Sequence, residues 1–341
     1  MPAALATEHD IVTVPKVELH VHFGGSITEA TAATLARRHG QDPDRVLGLR
    51  DGRYPAPYAD FRGFLRAFLA ANQFVQTPDD LELVATELAR GQAAQNVIYS
   101  ETIFTAMIYV RNGMDAAAMW AALDRGLRAA GPRTRIGILV DSIRDFGEPE
   151  ATATVALVEG AGPGIPIIGL GLTGIEGTMP VGDFVSYAYA ARRLGLGLEV
   201  HAGEMGPPSS VVESLDILHA DRIGHGVAAI KEPELVERYV RDRVVLDVCP
   251  SSNVAIGEYE SLEAHPMRAF WDAGVTFNIS SDDPPFFGVT LTDELRNVVG
   301  VLGLTRADLA ELQRRGARAA FQPQAVRDEL VSRIDAWEAA G

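Results

Sequence analysis

Pro15-Lys16-Val17-Glu18-Leu19-His20-Val21-His22 is the stretch from which the fold can be read. Apolar and polar residues alternate along it with the period of a strand, in which residues two apart point to the same side. His20 and His22 therefore share one face at the end of that strand. Three more apolar runs close on reactive side chains: Val200-His201-Ala202-Gly203-Glu204, Ile223-Gly224-His225-Gly226 and Ile279-Ser280-Ser281-Asp282-Asp283-Pro284. Parallel strands that end on His or Asp describe a barrel whose C-terminal rim carries a site.

Working outward from residues 17–22, further β-type runs fall at 97–103, 136–141, 166–172, 197–201, 221–225, 244–249 and 275–280. Helical sequence lies between them, with clear examples at 28–39, 78–96 and 114–130. Eight β runs alternating with helices predict an α/β fold, a (β/α)8 TIM barrel with extra helices after strand 1 and at the C-terminus from Thr305 onward. No Gly-, Pro- or Ser-rich linker divides the chain, so residues 1–341 are expected to form a single barrel domain. Residues 47–76 depart from the pattern, because they hold Tyr54, Tyr58, Phe61, Phe64, Phe68 and Phe74. An aromatic insertion after the first strand either covers the mouth of the barrel or packs against its wall.

The composition narrows the classes of function. Of 341 residues, 47% are hydrophobic and 22% charged, as in an ordinary globular protein, and the net charge is −16. That charge repels phosphate backbones and anionic lipid surfaces, which excludes nucleic acid and membranes as expected partners. Cys249 is the one cysteine, so neither an intramolecular disulfide nor a cysteine-rich metal site is possible. With no signal-like start and no apolar run of about 18 residues, a cytoplasmic protein is expected.

His20, His22, His201 and Asp282 are placed at one rim by their strands. Three neutral imidazoles and a carboxylate suit one Zn2+ per chain with a position left for water, whose pKa such an ion lowers toward about 7. His225 is placed to orient that water or act as its base. Glu204, in a dry pocket, would have a raised pKa and could donate a proton; alternatively it is a helix N-terminal acid facing the dipole. Asp283 beside Asp282 reads either as a substrate contact or as part of a solvated turn.

These segments, together with Arg222-Ile223-Gly224-His225-Gly226 and Cys249-Pro250-Ser251-Ser252-Asn253, resemble in order and content the signature of the adenosine deaminase family of the amidohydrolase superfamily. The resemblance runs from residue 15 to 290. It implies that His20, His22, His201 and Asp282 bind zinc, that Glu204 protonates N1 of a purine, and that His225 with Asp282 orients and deprotonates the attacking water. It further implies that Asp283 bonds N7, that the backbone N–H of Gly174 meets N3, and that His22 lies beside the substrate. The partner implied is a small-molecule purine nucleoside, which loses its 6-amino group as ammonia.

The sequence departs from the family at the sugar end. His22-Phe23-Gly24-Gly25-Ser26 has Gly24 where the family carries an aspartate that contacts the ribose 5'-hydroxyl, so the expectation is an open ribose end and a nucleoside modified at the 5' position. 6-Aminodeoxyfutalosine and 5'-methylthioadenosine fit that description; adenosine or adenine itself, and a non-catalytic purine-binding barrel, are the alternatives. Residues 99–105 lack the family's frequent arginine, and Ile175 stands where an acid is common. Phe64 and Phe68, four apart, match the family's hydrophobic gate over the sugar or else form helix core. A binuclear hydrolase would need a bridging group at strand 4, and neither lysine, Lys16 or Lys231, is placed for it, leaving Glu176 as the substitute. Cytidine-type deaminases need Pro-Cys-x-x-Cys, which one cysteine excludes.

Overall fold

Each of the eight β runs forms a strand in a computed structural model that describes residues 4–340: β1 (Lys16–His22), β2 (Val97–Phe104), β3 (Arg135–Ile143), β4 (Ile167–Thr173), β5 (Gly197–Ala202), β6 (Arg222–His225), β7 (Val245–Val248) and β8 (Thr276–Ile279). They pair in sequential order, all parallel. β8 returns to β1 through the bridge Val21–Asp282, where His22 N–H donates to Asp282 O (2.9 Å) and Asp282 N–H to His20 O (3.2 Å). The result is a nearly closed (β/α)8 barrel.

The helices start where local chemistry dictates. Thr28 caps Glu29–Arg38 by accepting from Thr31 N–H, and Thr77 with Asp80 forms a capping box ahead of Pro78–Ala94. The helices Arg306–Ala319 and Gln324–Ala339 cover the end of the barrel where the strands begin. There Val17, Leu19, Ile98 and Tyr99 pack with Ala310, Ala317, Leu330 and Ile334, and Gln313 accepts from Val17 N–H at 2.8 Å. The opposite end is thereby left as the open face. Among the described residues, no helix is long and apolar enough to cross a membrane.

The aromatic insertion forms the helix Phe61–Asn72 over that open face, capped by Asp60. Phe64 is buried among Tyr58, Phe68, Phe286 and Phe287, with ring centroids 5.1 to 6.0 Å apart. Tyr58 also donates its hydroxyl to Phe286 O at 3.0 Å. The insertion is thus stapled to the segment that follows β8, and its inner face still looks into the barrel mouth.

Candidate active site

The ends of β1 and β5 and the turn after β8 bring four side chains together. The ligand-type atoms of His20, His22, His201 and Asp282 all lie within 4.8 Å of one another. Asp282 Oδ1 is 3.3 Å from His22 Nε2 and 3.4 Å from His20 Nε2, and His22 Nε2 is 3.2 Å from His201 Nε2. Asp282 lies beyond the last residue of β8 instead of closing the strand. It adopts φ +63°, as does His225, a left-handed backbone that costs a non-glycine residue about 1–3 kcal/mol and is retained where a side chain must be aimed. The described residues suit a metal ion. His20 Nδ1 is spent on Glu199 Oε1 at 2.5 Å, which leaves its buried Nε2 without a hydrogen-bond partner and facing the cluster.

Glu199 belongs to a buried charge network that the sequence reading missed. Arg222 donates to Glu101 (2.6 Å), Glu199 (3.2 Å) and Asp247 (2.5 Å) inside the barrel, and its guanidinium lies 4.1 Å over the Phe321 ring. Burial alone would raise the Glu199 carboxyl, but His20 and Arg222 hold it below the usual range, so an ionised acceptor stands behind His20. The available signal was period two: Glu199 lies two residues before His201 on the same face of β5.

Glu204 lies in the turn after β5, ahead of the helix Pro208–Asp216, so it is not an acid in a helix first turn. Burial, with Asp282 and Glu176 nearby, pushes its pKa well above the ordinary range. Its Oε1 is 3.7 Å from His225 Nε2. Glu176 explains how the turn is held: its carboxylate accepts from the backbone N–H groups of Gly203, Glu204, Met205 and Gly206 at 2.7 to 3.1 Å. With its oxygens committed to four amides and to Ser210, Glu176 is a loop anchor and not a bridging ligand. Burial also pushes His225 down to about 3, so that imidazole is neutral at physiological pH.

Asp283 is buried, and burial beside Asp282 raises its carboxyl well above the usual range. A methyl group on Gly25 would sit 1.8 Å from Asp283 Oδ1, so only glycine admits the carboxyl there. Gly25 was not singled out from sequence. Gly24, which was, does not open the ribose end as expected. A Cβ at Gly24 would lie 2.8 Å from the Phe68 ring and 2.5 Å from Asn72 Oδ1, while Asn72 donates back to Gly24 O at 3.2 Å. The space an aspartate would take is filled by the aromatic insertion. Gly174, at φ +91°, lines the cavity with the Asp145 carboxylate against it, and Asp145 also accepts from Ile175 N–H at 2.9 Å.

One cavity of about 440 Å3 joins these groups. Its floor carries His22, His201, His225, Glu204, Asp282 and Asp283; Phe64 and Phe68 form part of the wall. The exposed rim is mostly apolar, with Leu69 and Phe146 about half exposed. Arg111 at the rim is engaged with Glu150 at 3.0 Å and stacks 4.1 Å over Phe146. A mostly apolar pocket with a few convergent polar groups at its base is the usual form of a small-molecule site.

The adenosine deaminase family model matches residues 15–337. An adenine deaminase of Agrobacterium fabrum is 35% identical over 94% of this chain and 97% of its own length. An aminodeoxyfutalosine deaminase of Streptomyces coelicolor is 33% identical over 97% of this chain and 86% of its own. Among solved structures, adenine deaminase from Arthrobacter aurescens superposes with a TM-score of 0.86 at 27% identity, covering 95% of this chain and 99% of that one. A zinc-bound amidohydrolase from Burkholderia ambifaria gives a TM-score of 0.83 at 25% identity, over 99% and 98% of the two chains.

Proposed function

The chain belongs to the adenosine deaminase family, and from that premise we propose that it is a zinc-dependent hydrolytic deaminase of 6-aminopurines that carry a substituent beyond the base. The family places it among the hydrolases of C–N bonds in cyclic amidines, and its relatives are purine deaminases. The observation that carries the reading is the joint one: a His3Asp cluster with Glu204 and Asp283, two buried carboxyls whose pKa values burial raises, on the floor of one cavity.

His20, His22, His201 and Asp282 would hold a single zinc ion, the donor set suited to it. When bound, such an ion supplies Lewis acidity that makes water a nucleophile at neutral pH. His225 and Asp282 would orient the attacking water and take its proton. Glu204, neutral in its buried setting, donates a proton to N1 and so makes C6 electrophilic. Asp283, whose protonated form burial favours, would donate to N7, which has only a lone pair to offer. The Gly174 N–H meets N3, and His22 borders the ring. Water oxygen bonds to C6, the proton taken by Asp282 passes to the amino nitrogen, the C6–N bond breaks as ammonia leaves, and the remaining hydroxyl proton returns to Glu204 as the 6-oxo group forms.

The mostly apolar rim supports a substituent on the purine, as in a 5'-modified nucleoside such as 6-aminodeoxyfutalosine. Bare adenine is the second reading, favoured by relatives named adenine deaminase at 33 to 36% identity. Adenosine monophosphate fits less well, since Arg111 at the rim already has an acidic partner. The test is ammonia release by the purified protein, with bound zinc counted, across adenine, adenosine, 2'-deoxyadenosine, methylthioadenosine and 6-aminodeoxyfutalosine. Turnover of adenine alone sinks the substituent; two tightly bound ions per chain sink the single-zinc site.

A further inference from the structure

Cys249-Pro250-Ser251-Ser252-Asn253 matched the family signature, yet the chemistry above uses none of its side chains. The segment opens a short helix, Pro250–Ala255, that sends two adjacent residues to two different site groups. Ser252 donates its hydroxyl to Asp282 Oδ2 at 2.6 Å. Asn253, fully buried, lies with its side-chain nitrogen 3.4 Å from His225 Nδ1 and its oxygen 3.1 Å from Nε2 of a second buried histidine, His265. His265 Nδ1 in turn receives Met267 N–H at 3.1 Å.

The direction of every proton in this row follows from its last member. A backbone N–H can only donate, so His265 Nδ1 must carry a lone pair. His265 is buried, which pushes it down to about 3, so it is neutral and its one proton is on Nε2. That proton requires an acceptor, which fixes the Asn253 oxygen toward His265 and the Asn253 NH2 toward His225. An amide NH2 can only donate, so His225 Nδ1 is an acceptor, and a ring whose Nδ1 keeps its lone pair carries its one proton on Nε2. His225 Nε2 is buried, has no hydrogen-bond partner, and faces Glu204 on the cavity floor.

We propose that His265 and Asn253 are positioning residues that lock His225 with its proton on Nε2, so that His225 serves the reaction as a hydrogen-bond donor to the attacking oxygen and not as its base. This rests on the deaminase reading above and divides the joint role of His225 and Asp282: His225 orients the oxygen, and the water's proton goes to the Asp282 carboxylate. Two neighbouring side chains of one helix thus prepare both partners, Ser252 the acceptor and Asn253 the donor.

Asn253→Asp separates the two roles of His225. The variant keeps the shape and still accepts from His265, but it offers His225 an acceptor where the amide offered a donor. The ring must then turn its proton to Nδ1, exposing a lone pair on Nε2. If His225 is the donor, kcat falls by at least about 100-fold, the scale of a lost proton-positioning group, while KM and bound zinc stay near wild type. If His225 were the base, an aspartate behind it would sustain or raise kcat, and that result overturns the proposal. The second measurement needs no variant: nitrogen-15 NMR of histidine-labelled wild-type enzyme should show His225 Nδ1 unprotonated and Nε2 protonated. The opposite pattern also overturns the proposal. A protein that deaminates no purine defeats the functional reading through the substrate panel, whereas the NMR result reports on the tautomer regardless.

Discussion

Gly25→Ala is the sharpest perturbation the site offers, because it touches catalysis through geometry alone. The added methyl would lie 1.8 Å from Asp283 Oδ1, 2.5 Å from its Cγ and 2.8 Å from its Cβ, against 3.4 Å for an ordinary contact. The carboxyl must retreat by roughly 1.6 Å, and a hydrogen bond stretched by that much is no longer one. Asp283 is the group assigned to N7, so its loss should cost about 1–3 kcal/mol of transition-state binding, or about 5- to 150-fold in kcat/KM. The assay pairs the best substrate of the panel with its 7-deaza analogue, in which N7 is a C–H. Wild type should prefer the natural purine by that factor, and Gly25→Ala should lose the preference while binding zinc as before. Asp283→Asn, whose amide still donates, should keep most of it. If Gly25→Ala slows both substrates equally, or neither, Asp283 does not read N7 and the assignment fails.

Glu204→Gln should retain bound zinc and lose about 10²–10⁴ in kcat, since it keeps the side chain's shape and removes the transferable proton; elemental analysis beside steady-state rates checks it, and near-normal turnover removes Glu204 from the acid role. Away from the site, burial would raise Asp80, but hydrogen bonds from Thr77, His39 and Arg38 outweigh it and hold its carboxyl below the ordinary range. Because the folded value is the lower one, this stabilisation is fully present above the unfolded carboxylate pKa and is lost as pH falls through the folded value. Asp80→Asn should therefore lower the unfolding free energy by about 2 kcal/mol at pH 7, with a gap that closes in strong acid. Urea unfolding followed against pH reads both, and a gap independent of pH contradicts the account.

How much was legible beforehand depended on the range of the interaction. The eight strands and the grouping of His20, His22, His201 and Asp282 follow from periods of two and from the rule that barrel sites sit at strand ends, both properties of short segments. β7 and β8 were drawn one residue too long at both ends and β6 one residue too long at its start, because where the ladder bonds stop depends on the neighbouring strand. Gly24 misled for a different reason. A missing side chain reads as space, and whether another element fills it is not written nearby; here Phe68 and Asn72, more than forty residues on, do.

By itself, then, the sequence determined the barrel and a donor set suited to a metal, because residue type and strand period are local quantities, and its motifs, by their resemblance to a family, pointed to the class of reaction. Only the tertiary structure decided which groups stand behind the reactive ones. Glu199 behind His20, Glu176 under the Glu204 turn, Gly25 beneath Asp283, and Asn253 with His265 behind His225 are set by contacts between distant segments. Proton position and carboxyl ionisation are properties of those contacts, since burial and hydrogen-bond direction exist only once the chain has closed on itself.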